Sequence, residues 1–260
     1  MNIQEQNDYL NANYGFYKNH TSRRNIRHDF FKNISTEIQA YLLGFFVADG
    51  SINAKRKNLR IHVSKKDSYI IDLYKNYISP KSRIFTINGK INNKIRNYNI
   101  KDNGSIGIDI TSAILVPDLV NIGYGYNKTY LNWVLPNISK NLIPHFLRGL
   151  FDGDGSFSMY ITKNNNLKFR TRLHITLHSK CETPIDSIIN FLQSKNIKAT
   201  KVYIKRDSLW RLSISSKLSI LNFYNLLYSD AHFFLQRKYE IIHKYVNTEI
   251  TIETKESIVL

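Results

Sequence analysis

The chain has 260 residues, of which 42% are hydrophobic, with one cysteine and a formal net charge of +17 at pH 7. This apolar content supports a folded core, and a single cysteine excludes an internal disulfide or a cysteine-based zinc cluster. The basic residues are spread along the chain, which favours nucleic acid over a membrane surface because no apolar run reaches bilayer-spanning length. With no apolar signal core near its start, we expect the protein in an intracellular compartment that contains DNA, either the cytoplasm or an organelle matrix.

The N-terminal residues 1–28 are polar and finish in the basic run TSRRNIRH. Two interpretations stand equally here, a solvated arm or an extension that contacts DNA. An apolar helix follows over residues 37–49, with Ser35 or Thr36 as its N-cap. It carries the stretch YLLGFFVADGS, and the glycine after Asp49 is expected to end it in the left-handed conformation. Asp49 then lies in the last turn, where the negative end of the helix dipole disfavours a carboxylate.

Alternation and helical spacing predict the elements that follow the first motif. Leu59, Ile61 and Val63 are expected to face the core on the second strand, and Phe85 and Ile87 on the third. The predicted elements are strands at 51–55, 58–65, 82–88 and 105–112, helices at 66–78 and 113–122, and a long polar loop, typical of a functional segment, at 89–104.

A second motif, FLRGLFDGDGS, repeats the first. One Asp-Gly pair is often only a turn after a core helix, but two copies in matching contexts favour a functional role. Small residues in each copy, including Gly44 and Gly149, would let the two helices pack side by side in parallel. Asp49 and Asp154 would then meet, and two nearby carboxylates repel unless they hold divalent cations. The remaining predictions repeat the order of the first half: strands at 157–162, 168–178, 199–206 and 209–216, helices at 183–194 and 218–228, and a final helix at 231–246.

The two motifs and the repeated order resemble the LAGLIDADG homing endonucleases of the single-chain, two-repeat kind. The resemblance spans about residues 29–246. It implies an α+β fold of two pseudo-symmetric αββαββα repeats, whose antiparallel sheets form a DNA-binding saddle with the pair of motif helices at its centre. The expected boundaries are a basic N-terminal arm at 1–28, a first repeat at 29–128, a connection at 129–144, and a second repeat with the C-terminal helix and tail at 145–260.

The family hydrolyses both DNA strands across the minor groove in the presence of magnesium or manganese. The resemblance therefore implies a metal-dependent endonuclease that makes a staggered double-strand break in a long, non-palindromic target and promotes homing of its own mobile element. Double-stranded DNA is the expected partner, Mg²⁺ or Mn²⁺ the expected cofactor with no organic one, and a monomer the expected state. Two alternatives stay open, an intron maturase that binds intron RNA and a non-cleaving DNA-binding regulator, although the retention of both acids argues against the second.

A residue-by-residue match places the family's metal-binding acids on Asp49 and Asp154. The backbone carbonyls of Ala48 and Gly153, just before these acids, are implied as further metal ligands. In such a site the metals neutralise charge on the scissile phosphate and activate water, so no protein nucleophile is needed.

Lysines also match a family position at the end of the second strand of each half. These are Lys66 and Lys180, for which a catalytic role and an ordinary phosphate contact or solvation stand as equal alternatives. The residues before them, Lys65 and Ser179, depart from the glutamine that is frequent in the family at this position.

The outward side chains of the predicted strands are expected to contact DNA, although a merely solvated sheet face is the usual alternative. These side chains are polar, basic or aromatic, and the two halves differ. The candidates are Ser51, Asn53, Lys55, Asn58, Arg60, His62, Ser64, Lys65, Thr86, Asn88, Ser158, Tyr160, Arg172, His174, Thr176, His178, Lys201, Tyr203, Lys205 and Arg211.

Overall fold

The computed structural model describes residues 1–15, 17–19, 22–89, 93–95, 98–100, 103–163 and 169–258. The chain divides into two compact units, Met1–Lys128 and Thr129–Leu260. Within the described ranges, no helix combines the length and apolar character that crossing a bilayer requires. Each unit is built from helices and antiparallel strands, and the order of elements predicted for each half is confirmed.

The first unit contains one four-stranded sheet, two short two-stranded ribbons and four α-helices among its described residues. Helix α3 packs on strands β4 and β8, and α2 contacts β3 and β4. The elements are α1 Ile3–Asn13, β1 Tyr17–Asn19, β2 Ser22–Ile26, α2 Glu37–Asp49, β3 Gly50–Asn53, β4 Asn58–Ser64, α3 Ser68–Tyr77, β5 Ile84–Ile87, β6 Asn93–Ile95, β7 Tyr98–Ile100, β8 Ser105–Thr111 and α4 Leu115–Asn121.

The second unit repeats this arrangement around a second four-stranded sheet. Its helices pack against the sheet through α6 on β10, β11 and β12, and through α8 on β9 and β10. The elements are α5 Ile143–Asp154, β9 Ser156–Lys163, β10 Phe169–Ser179, α6 Glu182–Gln193, β11 Thr200–Ile204, β12 Leu209–Ile214, α7 Lys217–Leu227 and α8 Gln236–Ile258.

Both sheets have the same strand order. The first runs β3-β4-β8-β5 and the second runs β9-β10-β12-β11, so the third strand of each half is an edge strand. The interior strands match the predicted alternation, since Leu59 and Ile61 of β4 and Leu173 and Ile175 of β10 are buried. The first hairpin of the second half, formed by β9 and β10, is longer than that of the first half, formed by β3 and β4. Part of the loop at 89–104 lies outside the described residues, and its described part contains the ribbon of β6 and β7.

The motif helix of the first half begins and ends where the sequence predicts. Thr36 caps it, because its hydroxyl accepts from the N–H of Gln39 while the Gln39 side chain accepts from the Thr36 N–H, which is a capping box. The glycine that follows each motif helix is extended, with φ −78° at Gly50 and φ −69° at Gly155, so the expected left-handed ending is wrong.

Close approach explains these glycines instead. A Cβ on Gly50 would lie 2.7 Å from the carbonyl oxygen of Phe46, and one on Gly155 would lie 3.0 Å from the Cα of Phe151. Only glycine lets the chain turn from the helix directly into the first strand, which brings the acid to the edge of the sheet.

The N-terminal residues are part of the first unit, so their interpretation as a solvated arm is wrong for α1. Leu10 is fully buried. The side chain of Gln6 donates to Glu37 at 3.3 Å and accepts from the N–H of Ile38 at 3.0 Å. Because both partners lie in the first turn of α2, α1 satisfies polar groups that a helix start otherwise leaves open.

The inward orientation predicted for Phe85 and Ile87 is wrong. Phe85 pairs with Gly107 and Ile84 with Ile108, and Ile108 is fully buried while Ile87 is 53% exposed. Ile84 and Thr86 therefore share the core side of the sheet, and Phe85 and Ile87 share the outer side. An edge strand is packed less completely than an interior one, so its apolar residues do not fix which face turns inward.

Candidate active site and nucleic-acid interface

The end of α2 combines a buried helix with an exposed acid. Residues up to Val47 are buried, Ala48 is half-buried and Asp49 is exposed. The ammonium of Lys128 donates to the carbonyl oxygen of Val47 at 2.6 Å and to that of Ala48 at 2.7 Å. An ammonium group thus lies at the carbonyls of the final turn, the turn that also carries Asp49.

The end of α5 has the same arrangement in the second unit. Gly153 is half-buried and Asp154 is exposed. The ammonium of Lys238 donates to the carbonyl oxygens of Phe151 at 2.9 Å, of Asp152, and of Gly153 at 2.8 Å. Lys238 is only 4% exposed, so this contact is held inside the unit.

Lys128 and Lys238 compensate the negative charge at the two helix ends. The last carbonyls of a helix carry partial negative charge, and a carboxylate there adds to it, whereas a cation stabilises the end by about 0.3–2 kcal/mol. The motif pattern predicts metal as the compensating charge and does not reveal Lys128 and Lys238. A signal for Lys238 exists, because it shares helical spacing with the buried Ile242 and Tyr245. We find no comparable pattern around Lys128.

The lysines also contact two of the implied metal ligands. The carbonyls of Ala48 and Gly153 each accept from an ammonium group, and a carbonyl oxygen retains a second lone pair. Exposed carboxylates beside carbonyl oxygens form a hard-oxygen donor set, which suits Mg²⁺ because this ion binds proteins through one or two carboxylates and keeps waters and substrate phosphates. The residues present therefore fit the ion, although the described residues contain no cluster of three or more histidine, cysteine or acidic side chains.

Asp152 ties the second motif helix to the element that carries Lys238. Its carboxylate accepts from the hydroxyl of Tyr228 at 2.8 Å and from the N–H of Leu235 at 2.7 Å. Burial and the nearby Asp152 raise the pKa of Tyr228 well above its usual value, so the phenol stays protonated and donates. Val47 occupies the matching position of the first motif. The two helix ends are therefore alike in carrying an exposed acid and a lysine. They differ because only the second has a buried carboxylate, that of Asp152, bonded to the neighbouring elements.

Lys66 and Lys180 lie just after the ends of the interior strands β4 and β10. Lys66 is exposed in a short 3-10 turn after β4, and the ammonium of Lys180 donates to the carbonyl of Asp207 at 2.9 Å. Their catalytic role stays a prediction. Lys65 reaches across to the side chain of Asn88 at 3.0 Å, and Lys55 and Lys205 lie in the turns that follow β3 and β11.

The outer face of the first sheet is continuous across its strands. Pairing places Ser51 opposite Arg60 and Asn53 opposite Asn58, and it places Arg60 opposite Asp109. These predicted contacts share one face with His62 and Ser64, as the alternation requires. Thr86 does not belong to this face, because it pairs with Ile106 on the core side.

The outer face of the second sheet carries most of the predicted residues of that half. Ser158 pairs with His174 and Tyr160 with Arg172. Further along the same face, Thr176 pairs with Ser156 on one side, and His178 pairs with Arg211 on the other.

Lys201 and Tyr203 are on the opposite face, so their predicted outward orientation is wrong. Lys201 pairs with the buried Leu212, and its ammonium contacts Glu182 at 2.5 Å and Asp186 at 2.6 Å. The hydrogen bonds to Asp186 and Glu182 raise the pKa of Lys201. The carboxylates of α6 thus hold this strand with Lys201 on the helix side.

Two polar atoms on the outer face of the second sheet are buried without a hydrogen-bond partner among the described residues. These are the Nε of Arg211 and the Oγ of Ser213. Burial lowers the pKa of His178, and Arg211 lowers it further against the opposing charges of Asp207 and Asp154. Buried polar atoms without a partner are rare in folded proteins, so an ordered water molecule or a ligand is expected at each of them.

Comparisons with known proteins agree with this geometry. Residues 147–247 match the family model described as LAGLIDADG endonuclease. The structure of I-SmaMI bound to an uncleaved DNA target with calcium ions is similar with a TM-score of 0.58 and 15% identity, over 86% of this chain and 93% of that chain. The second half of the chain therefore matches the LAGLIDADG endonuclease family, and the chain as a whole has the fold of I-SmaMI.

A second LAGLIDADG structure supports the fold assignment. The I-SmaMI homing endonuclease bound to cleaved DNA is similar with a TM-score of 0.55 and 16% identity, over 86% of this chain and 92% of that chain. A search of curated proteins found no match. At this identity the likeness concerns the LAGLIDADG fold, and the activity of this chain rests on its own residues.

Proposed function

We propose that this protein is a divalent-metal-dependent, site-specific DNA endonuclease. It would make a staggered double-strand break in a long, non-palindromic target and so promote homing of its own mobile element. The observation that carries the proposal is the repeated helix end. Each unit presents an exposed carboxylate, Asp49 or Asp154, at the end of a buried helix whose last carbonyls bind a lysine.

The chemistry follows from these groups. A divalent ion, when bound, neutralises charge on the scissile phosphate and lowers the pKa of a bound water. Asp49 and Asp154 would each offer carboxylate oxygens to such an ion, and Lys128 and Lys238 supply positive charge beside the same helix ends. Two hydrolyses are needed for a double-strand break, and the chain carries two acid–lysine sets.

Recognition is assigned to the outer faces of the two sheets. The formal charge of +17 favours binding to the phosphate backbone. The side chains of the two faces differ, since Arg60 and Asp109 of the first face occupy the positions of Thr176 and Ser213 of the second. Different donors and acceptors select different bases, so one chain is expected to act as a monomer on a target without a palindrome.

Asp49→Asn and Asp154→Asn test the proposal. Each is expected to abolish double-strand cleavage in magnesium and to leave DNA binding largely intact, because the amide keeps the shape of the side chain and loses the charge that holds the ion. The measurement is plasmid cleavage beside a gel-shift titration, with target DNA selected from a randomised pool. Asp8→Asn is the matched control, since Asp8 is an exposed acid on α1. Full cutting by either site variant would contradict the proposal.

A further inference from the structure

An arginine–carboxylate pair occupies the outer face of the first sheet. Arg60 of β4 lies directly opposite Asp109 of β8. The Arg60 Nε donates to Oδ1 of Asp109 at 2.7 Å, and its Nη2 donates to Oδ2 at 2.8 Å. This two-bond contact fixes the plane of the guanidinium.

Phe85 supports the same guanidinium from the neighbouring edge strand. The Arg60 Cζ lies 5.1 Å from the centre of the Phe85 ring, and His62 stacks on that ring at 5.7 Å between centroids. Gly107 makes room for the ring, because a Cβ there would lie 2.8 Å from Phe85 Cε2. The outward orientation of Phe85 thus has a consequence, since the aromatic face holds the arginine by a cation–π contact.

Stability does not account for this arrangement. The side chains of Arg60 and Asp109 are 50% and 33% exposed, and ion pairs at such positions contribute little. Asp109 is also the single carboxylate among the described strand residues of this outer face. A carboxylate facing DNA repels phosphate, and it neutralises the arginine that it holds. The pair is therefore poorly suited to phosphate contact.

The geometry suits a base edge. A guanidinium has two edges that each present a pair of parallel N–H donors. Asp109 takes the edge formed by Nε and Nη2, which leaves the edge formed by Nη1 and the second Nη2 hydrogen. That edge matches O6 and N7 of guanine, the acceptor pair displayed in the major groove. A recess of about 540 Å³, lined by residues that include Arg60, Asp109, Asn58 and Thr111, adjoins the pair.

We propose that Arg60 reads one guanine in the part of the target that the first unit contacts, with Asp109 and Phe85 as positioning residues. This inference rests on the proposed DNA-binding function. It adds a base identity and a role for an acid on a basic surface.

The test is selection of target sequences from a randomised duplex pool by the wild type and three variants. Arg60→Ala removes the guanidinium donors, so the preference for guanine at one position is expected to fall by about 5- to 150-fold, with other positions unchanged. Asp109→Asn is expected to weaken the same preference and to strengthen binding of unrelated DNA, because a negative charge is lost. Arg172→Ala, on the second sheet, is the matched control and should leave that guanine unaffected.

These measurements distinguish recognition of guanine by Arg60 from a non-specific contact with phosphate. If Arg60→Ala changes no base preference in a target that the wild type selects and cuts, or if it weakens all sequences equally and lowers the salt dependence by about one ion, the guanine assignment is wrong while the endonuclease proposal stands. If the wild type selects no sequence, both proposals are wrong. Thermal melts of all variants exclude misfolding, since the exposed pair should leave the midpoint unchanged.

Discussion

Lys238→Met should destabilise the second unit and stop cleavage. The methionine keeps most of the apolar stem and removes the ammonium. The carbonyl of Phe151 retains the N–H of Gly155 at 3.0 Å, and the half-buried carbonyl of Gly153 is open to water. The net cost is therefore about one charge-assisted hydrogen bond at Asp152, 1.5–3 kcal/mol, plus a helix-end term of about 0.3–1 kcal/mol. We expect the free energy of unfolding to fall by about 2–4 kcal/mol.

Lys128→Met is the matched variant in the first unit. Lys128 is half-buried and contacts two carbonyls instead of three, so a loss of about 1–2 kcal/mol is expected. Both tryptophans of the chain, Trp133 and Trp210, lie in the second unit. Tryptophan fluorescence in a urea titration therefore reports the second unit, and circular dichroism reports both.

The two variants should separate in this assay. Lys238→Met should move the fluorescence transition to lower urea, and Lys128→Met should leave it in place while changing the dichroism curve. Cleavage should fall in both. The role of the ammonium at the helix end would be refuted if Lys238→Met left the fluorescence midpoint unchanged, or if Lys128→Met shifted that midpoint more than Lys238→Met does.

Three further outcomes are expected. Gly44→Leu and Gly149→Leu should each prevent soluble folding, because both glycines lie in buried motif helices; a thermal melt with an unchanged or raised midpoint would contradict this. Burial lowers the pKa of His28, whose Nδ1 lies 2.7 Å from the Ser112 hydroxyl, so folding favours the neutral imidazole. Its contribution is present above the unfolded pKa of about 6.5 and is lost as pH falls, and His28→Gln should flatten the stability profile between about pH 5 and 7. Affinity for DNA should fall steeply with salt, measured as the slope of log K against log salt.

The sequence was sufficient for the elements that burial fixes. The bounds of α2 followed from its cap and its apolar run. The faces of β4 and β10 followed from residues such as Ile61 and Ile175, which have no alternative to the core. A shift of the strand register by one residue would expose all of these side chains, so the pattern determines which face of the strand is buried.

The edge strands and the lysines could not be predicted in this way. On β11 the face that turns inward is fixed by Lys201, which pairs with carboxylates of α6 and lies 5.1 Å from the Trp210 ring centre. The apolar Val202 turns outward instead and is 44% exposed. Lys128 and Lys238 reach the motif helices from distant parts of the sequence. Such contacts depend on tertiary packing, which local alternation does not encode.

The different support of the two helix ends limits how the halves can be exchanged. In the second unit, Asp152 accepts a hydrogen bond from the segment that leads into α8. In the first unit, Val47 occupies the matching position, and the lysine at the helix end is Lys128, the last residue of that unit. Placing α5 alone in the first unit would bury the Asp152 carboxylate without the donors that satisfy it. Placing α2 alone in the second unit would put Val47 opposite Tyr228 and Leu235, and their donors would lose their acceptor. Chimaeras assembled from whole units, joined between Lys128 and Thr129, would keep each acid with the lysine at its own helix end.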